Sequence, residues 1–223
     1  MKKIFALLPM IAAFALTGCG DNEKESDEGE GVKLELTEEQ SKAKVKELAQ
    51  TQGLEITFHY EDGQSNETSE STTVGVKDNF TWVFAGSEKT MWREDETNFY
   101  AYQYNEESSK FEPKGFVAKA SLGELSSYYS LDFYTLYFYM GSSYEGYHKV
   151  KDFTYVGRSA TEYKLSVSNG LAYVNEKVII DKETGITLYW GVEGADIQGN
   201  SGSASFEVTS FKTGATVNVP AHD

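Results

Sequence analysis

Residues 178–190 read VIIDKETGITLYW. Two runs rich in β-branched and aromatic side chains flank a turn built from Asp181, Thr184 and Gly185. From Ile186 to Trp190, apolar residues alternate with the rest, putting Ile186, Leu188 and Trp190 on one side and Thr187 and Tyr189 on the other. That period of two belongs to a strand, and a polar Thr-Gly pair between two such runs signals a tight turn. The segment predicts an antiparallel hairpin, and most of the chain on either side repeats its pattern.

Upstream, Tyr163–Val167 alternates, and Ser168-Asn169-Gly170 turns it into the run from Leu171 to Ile180. Phe153, Tyr155 and Val156 begin a strand before that. Downstream, residues 191–203 (GVEGADIQGNSGS) read mostly as loop, and Phe206–Val208 and Val217–Val219 read as closing strands. The first half behaves alike. Leu54–Tyr60 (LEITFHY) alternates strictly, followed by candidate strands over Thr72–Lys77, Phe80–Phe84, Met91–Arg93 and Asn98–Tyr104. A strand about every ten residues is the spacing of antiparallel meanders.

Two segments depart from this period. Thr37 with Gln40 three residues on forms a capping box, Glu38 and Glu39 sit where a helix dipole favours acid, and Gly53 is a natural stop. A short amphipathic helix is expected there. From Ser121 to Met140, apolar residues fall at Leu122, Leu125, Tyr129, Phe133, Leu136 and Met140, which is helical spacing. A strand is the competing reading, because aromatics favour sheets. Residues 133–140 are apolar or aromatic nearly all round and require cover by protein, partner or lipid. The element order is helix, about five strands, helix, about five strands.

The N-terminal residues read as an address. Lys2 and Lys3 precede an apolar run from Ile4 to Leu16 that is too short to span a bilayer, and the pattern is that of a secretory signal. Leu16-Thr17-Gly18-Cys19 follows. It resembles the bacterial lipobox, which implies a diacylglyceryl group on the Cys19 sulfur and cleavage before that residue. A plain signal peptide with a chance cysteine is the alternative. Two acyl chains suffice for stable anchoring. Residues 20–31 (GDNEKESDEGEG) carry six acids against Lys24 and no apolar side chain, which predicts a disordered spacer; a calcium-binding or sorting tail is the sharper alternative. The expected organisation is a signal peptide over 1–18, a lipidated cysteine and acidic tether over 19–34, and one β-rich domain over 35–223. The location is extracytoplasmic, with the membrane as partner through the anchor.

The opening helix from Thr37, the Val178–Trp190 hairpin with its Asp-x-x-Thr-Gly turn, and the closing Val208–Pro220 segment together resemble the LolA-like and LppX-like lipoprotein group. The resemblance covers roughly residues 35–220. It implies a mainly β (α+β) fold, an antiparallel unclosed half-barrel with helices across the concave face, and a hydrophobic hollow for acyl chains. It brings no catalytic residue. This chain departs from the soluble carriers of that group by keeping an anchor.

Composition narrows the function. The 223 residues are 39% hydrophobic and 25% charged, as a globule requires, and a net charge of -15 repels a nucleic-acid backbone. A single cysteine excludes an intrachain disulfide, a zinc knuckle or an iron–sulfur cluster. His59, His148 (placed in a loop) and His222 are the only histidines and show no metal spacing; Asp196 and Asn200 could touch calcium, with a mobile loop the plainer reading. There is no Gly-x-Ser-x-Gly, and a non-enzymatic protein without cofactors or metals is expected. The aromatics are the remaining lead. Trp82, Phe84, Tyr129, Phe133, Tyr137, Phe138 and Trp190 are the candidate lining of a hollow for a lipid or acylated molecule, with simple core filling as the alternative. Two other functions compete: a non-catalytic structural or protein-interaction lipoprotein, and a surface glycan binder stacking sugars on Trp92 and on Tyr100, Tyr102 and Tyr104.

Overall fold

The computed structural model describes residues 36–63, 70–123 and 146–223. Its elements are α1 (Glu38–Thr51), β1 (Leu54–Asp62), β2 (Thr72–Lys77), β3 (Phe80–Ala85), β4 (Glu88–Glu94), β5 (Asn98–Asn105), β6 (Lys110–Ala118), α2 (Lys119–Leu122), β7 (His148–Tyr155), β8 (Arg158–Ser168), β9 (Ala172–Asp181), β10 (Thr187–Asp196) and β11 (Ser201–Thr213). All eleven strands belong to one antiparallel sheet, in the order β6-β5-β4-β3-β2-β1-β11-β10-β9-β8-β7. Two meanders therefore lie side by side, joined where β1 pairs with β11. The outermost strands β6 and β7 do not pair, so the sheet is not closed.

Helix α1 forms as its sequence dictates. Thr37 Oγ1 accepts from the Gln40 amide at 3.3 Å, and Gln40 Oε1 accepts from the Thr37 amide at 2.9 Å. Gly53, at φ +81°, ends it, and a side chain there would meet Lys77. Val45, Leu48 and Ala49 are buried against Leu54, Ile56, Val208 and Trp190. Strand alternation then assigns the faces. On the α1 side lie Leu54, Ile56, Phe58 and Tyr60 of β1 and, across the ladder, Phe206, Trp190, Val178 and Tyr163. The opposite face is also apolar, but in the other meander. There Trp82, Met91, Phe111 and Val217 are buried together, flanked by Phe80, Phe84, Tyr102, Tyr104 and Val219.

This second cluster corrects the expected closing strands. Phe206–Val208 lies inside the longer β11, whereas Val217–Val219 is no strand. After a short 3₁₀ turn at Gly214–Thr216, the tail crosses the face of β3–β6 instead. Lys77 Nζ donates to the Val217 carbonyl at 2.7 Å, and His222 packs in a tilted arrangement against Phe80 with ring centroids 4.6 Å apart. The tail ends on the outer edge of β6. The Phe111 amide donates to the Ala221 carbonyl at 2.8 Å, and the Asp223 amide donates to the Phe111 carbonyl at 3.1 Å. Edge groups that would recruit another chain are thereby paired locally.

Other departures have physical causes. β6 escaped the sequence reading because Pro113 and Gly115 interrupt it; it is an edge strand, where proline costs no ladder bond, and it bulges opposite Ala101 and Tyr102. Residues 191–203, read mostly as loop, are largely strand, since glycine and serine in β10 and β11 are held in register from Gly191↔Ser205 to Ala195↔Ser201. His148 opens β7 and is not in a loop. Of the helix expected over 121–140, only the start falls within α2, and the remainder lies outside the described residues.

The Asp181–Gly185 turn is a buried lock. The Asp181 side chain, 0% exposed, accepts from Arg158 Nε and Nη2 at 2.9 and 3.0 Å and from the Thr184 amide and hydroxyl at 2.8 and 2.6 Å. Ser41 of α1 donates to the Thr184 carbonyl at 2.6 Å, fastening helix to turn. Removing one partner strands a buried charge. Asp181→Ala is expected to cost about 3–5 kcal/mol in urea unfolding, while Glu183→Ala, at the exposed end of the same arginine, costs under about 1 kcal/mol. Ending the chain after Thr216 uncovers Trp82 and Phe111, and roughly 2–5 kcal/mol of stability is expected to go with it, with an altered near-ultraviolet tryptophan signal.

Candidate functional site

Two surfaces offer binding chemistry, one on each face of the β7–β11 half. On the α1 face, the apolar core continues past the helix. Beyond Tyr163, Val178, Trp190 and Phe206 comes the row Leu165, Val192 and Ala204, all half-buried, and then Val167 and Val174 with Gly194 and Gly202. Val167 is 53% exposed. The glycines lack side chains and leave this end flat. One carboxylate interrupts the row, that of Glu176, which accepts from the Trp190 indole N–H. The chain returns to the described body on this face, with Gly146 against Leu165 and Tyr147 buried in the core.

The opposite face carries a polar trough of about 580 Å³ across β1, β11, β10, β9 and β8. Gly191, Ser203 and Ser205 form its floor, and Glu61, Lys164, Lys177, Asn175, Glu193 and Tyr189 rise around it. Small side chains opposite large ones create the depression. Lys177 Nζ sits 4.0 Å above the Tyr189 ring, and Asn175 Nδ2 donates to Glu193 at 3.2 Å. At one end Tyr155 donates to Glu207 at 2.6 Å. Burial and then the Glu207 carboxylate push the Tyr155 hydroxyl well above the ordinary tyrosine range; burial and then Glu207, Glu61 and Glu193 raise Tyr189. Charges of both signs line the trough, which suits a polar occupant.

The three sequence-selected aromatics among the described residues do not converge. Trp82 and Phe84 lie under the C-terminal tail, where Phe84 stacks on Phe111 at 6.0 Å and the Trp82 indole crosses Gly75 to donate to Glu55 at 3.3 Å. Trp190 is on the other face, in the core beneath α1. These three therefore line no common hollow. Cys19, Tyr129, Phe133, Tyr137 and Phe138 lie outside the described residues. The stacking platform also divides: Trp92 pairs with Ala101 and is buried on the α1 face, whereas Tyr100, Tyr102 and Tyr104 point to the other. The trough was missed because its floor is glycine and serine, which read as loop.

Among the described residues no group of three or more His, Cys, Asp or Glu side chains could hold a metal ion, and no helix is long and apolar enough to cross a membrane. The Asp196 carboxylate is occupied by its own turn, accepting from the Gln198 and Asn200 amides at 2.8 and 3.0 Å. No family model and no curated protein matches the chain. Among solved structures, PNGF-II in the P21 space group aligns at a TM-score of 0.29 and 9% identity over 78% of this chain. The chain spans 31% of that protein's length, and a likeness at that score carries no argument.

Because the folded-state values of Tyr155 and Tyr189 lie above the unfolded value near 10, their contribution to stability is fully present below that pH and is lost as pH rises beyond it. Denaturant midpoints are expected to hold constant on approach to pH 10 and then fall, and Tyr155→Phe is expected to flatten that fall.

Proposed function

We propose that the chain is an extracytoplasmic lipoprotein, anchored to its membrane through a diacylated Cys19, that binds a lipid or acylated molecule along the α1 face of its sheet. In this reading the sheet is an open half-barrel and that face is its hollow. The observation that supports it most is the apolar row running out from the core past α1, through Leu165, Val192 and Val174 to the exposed Val167. Apolar surface left in water at the end of a packed core is unfavourable, and an acyl chain relieves it. Ten buried methylenes contribute about 8 kcal/mol gross, at roughly 0.8 per CH₂. No polar contact is then required, consistent with the absence of charge from the row apart from Glu176. The ligand set is revised accordingly, since Trp82 and Phe84 serve the tail-covered core and Trp190 borders the row.

A second reading, a protein-interaction lipoprotein, is favoured by the polar trough, whose mixed charges fit a peptide or other polar partner better than a lipid. The two are separable. A form beginning at Gly20 is expected to bind a fluorescent fatty acid saturably at micromolar concentration. Leu165→Asp or Val174→Asp is expected to weaken that binding at least roughly tenfold, about 1.4 kcal/mol, while Ser205→Tyr in the trough leaves it unchanged. No saturable binding by the parent protein contradicts the lipid reading and leaves the trough as the functional surface.

A further inference from the structure

The β8–β9 and β10–β11 turns lie side by side at one end of the sheet, joined by a hydrogen bond from the Ile197 amide to the Leu171 carbonyl at 2.9 Å. Both named residues project into water: Leu171 is 62% exposed and Ile197 71%. Val167 and Tyr173, one on each face just behind them, are 53% and 44% exposed. Across residues 167–174 and 194–203 the only charged side chain is Asp196, in a protein that is 25% charged overall with a net charge of -15. A charge-poor, apolar end on so acidic a body is a surface little opposed to leaving water.

Several of its polar groups are already paired. Asn169 Oδ1 accepts from the Leu171 and Ala172 amides, both at 3.0 Å, and the Asn169 amide donates to the Ala172 carbonyl at 3.2 Å. Asp196 accepts from the Gln198 and Asn200 amides and from Asn200 Nδ2, the last at 2.8 Å. Backbone groups paired in this way can enter the headgroup region without an unmet hydrogen bond, which is the main cost of placing a turn there.

We infer that the paired turns carrying Leu171 and Ile197 rest in the interface of the bilayer that holds the anchor. The inference rests on the anchored reading proposed above and adds an orientation to it. Reach permits it. Leu36 packs beside Gly185, at the far end of β9 from Leu171, about 30 Å away along the strand. The 17 peptide steps from Cys19 to Leu36 can extend to at most about 60 Å. With the turns in the interface, the apolar row on the α1 face opens at the membrane surface, where an acyl chain would enter it.

The test uses the mature acylated protein in phosphatidylcholine vesicles. There the acyl group blocks Cys19, so Leu171→Cys, Ile197→Cys or Glu183→Cys each supplies one thiol for an environment-sensitive fluorophore. Doxyl groups on the lipid chains are expected to quench the labels at 171 and 197 at least roughly twofold more than the label at 183. Equal quenching at all three, on protein that floats with the vesicles, overturns the orientation and leaves the anchor standing. Protein that fails to float and carries an unmodified Cys19 by mass spectrometry overturns the anchor and the orientation with it.

Discussion

The pairing of β1 with β11 is the constraint on which the rest of the molecule depends. β1 to β6 form one meander and β7 to β11 another, and the strand pairing that joins them is the ladder from Leu54↔Thr213 to Asp62↔Ala204. Its partners are about 150 residues apart in the chain, so their closure is entropically costly. What repays it is the core directly beneath. Ile56, with Val208 opposite the adjoining Phe58, is almost fully buried, and α1 lies over both through Val45 and Leu48. On the reverse side Glu55 accepts from Lys212 at 2.7 Å and from the Trp82 indole, tying the last strand to the first meander. Without this seam neither half has a complete apolar cover.

A wide open sheet has two faces to protect, and this chain uses the segments flanking its first and last strands. α1 covers one face of the β1–β11 seam, and residues 217–223 cover the other face of β3–β6 and pair with the β6 edge. Two surfaces that the described residues leave uncovered lie in the second meander. One is apolar and runs out from the core; the other is polar and holds the trough. Function is assigned to these surfaces because packing has already used the others. The aromatic residues that the sequence brings to notice most strongly, Trp82 and Phe84, are among those used.

The legible part of the sequence was the part with strong local pattern. The capping box at Thr37, the alternation of Leu54–Tyr60 and the hairpin around Asp181–Gly185 all signal through spacing alone, and each stands where expected. Asp78-Asn79 likewise makes the tight β2–β3 turn, with both residues at positive φ. What failed was whatever depends on distant partners. β6 holds a proline that only an edge position tolerates, and no local pattern announces an edge. The β10–β11 hairpin is built from glycine and serine whose strand conformation comes from the ladder. Val217–Val219 alternates like a strand yet serves as a strap, since its apolar side chains face Trp82 and its backbone finds Lys77. Face membership fared worst: Trp82 and Trp190 look equivalent in sequence, and the register places them on opposite sides of the sheet.

The proposed function requires that the apolar row beyond α1 hold an acyl chain. Native mass spectrometry of the full protein with its proposed acylation on Cys19, extracted gently from cells, addresses this without a chosen probe. The expected result is a population heavier than the covalently acylated chain by the mass of one lipid or acylated molecule, released on collisional activation. A single species at the mass of the acylated chain alone, under conditions that preserve noncovalent lipid complexes of a known carrier, would contradict it.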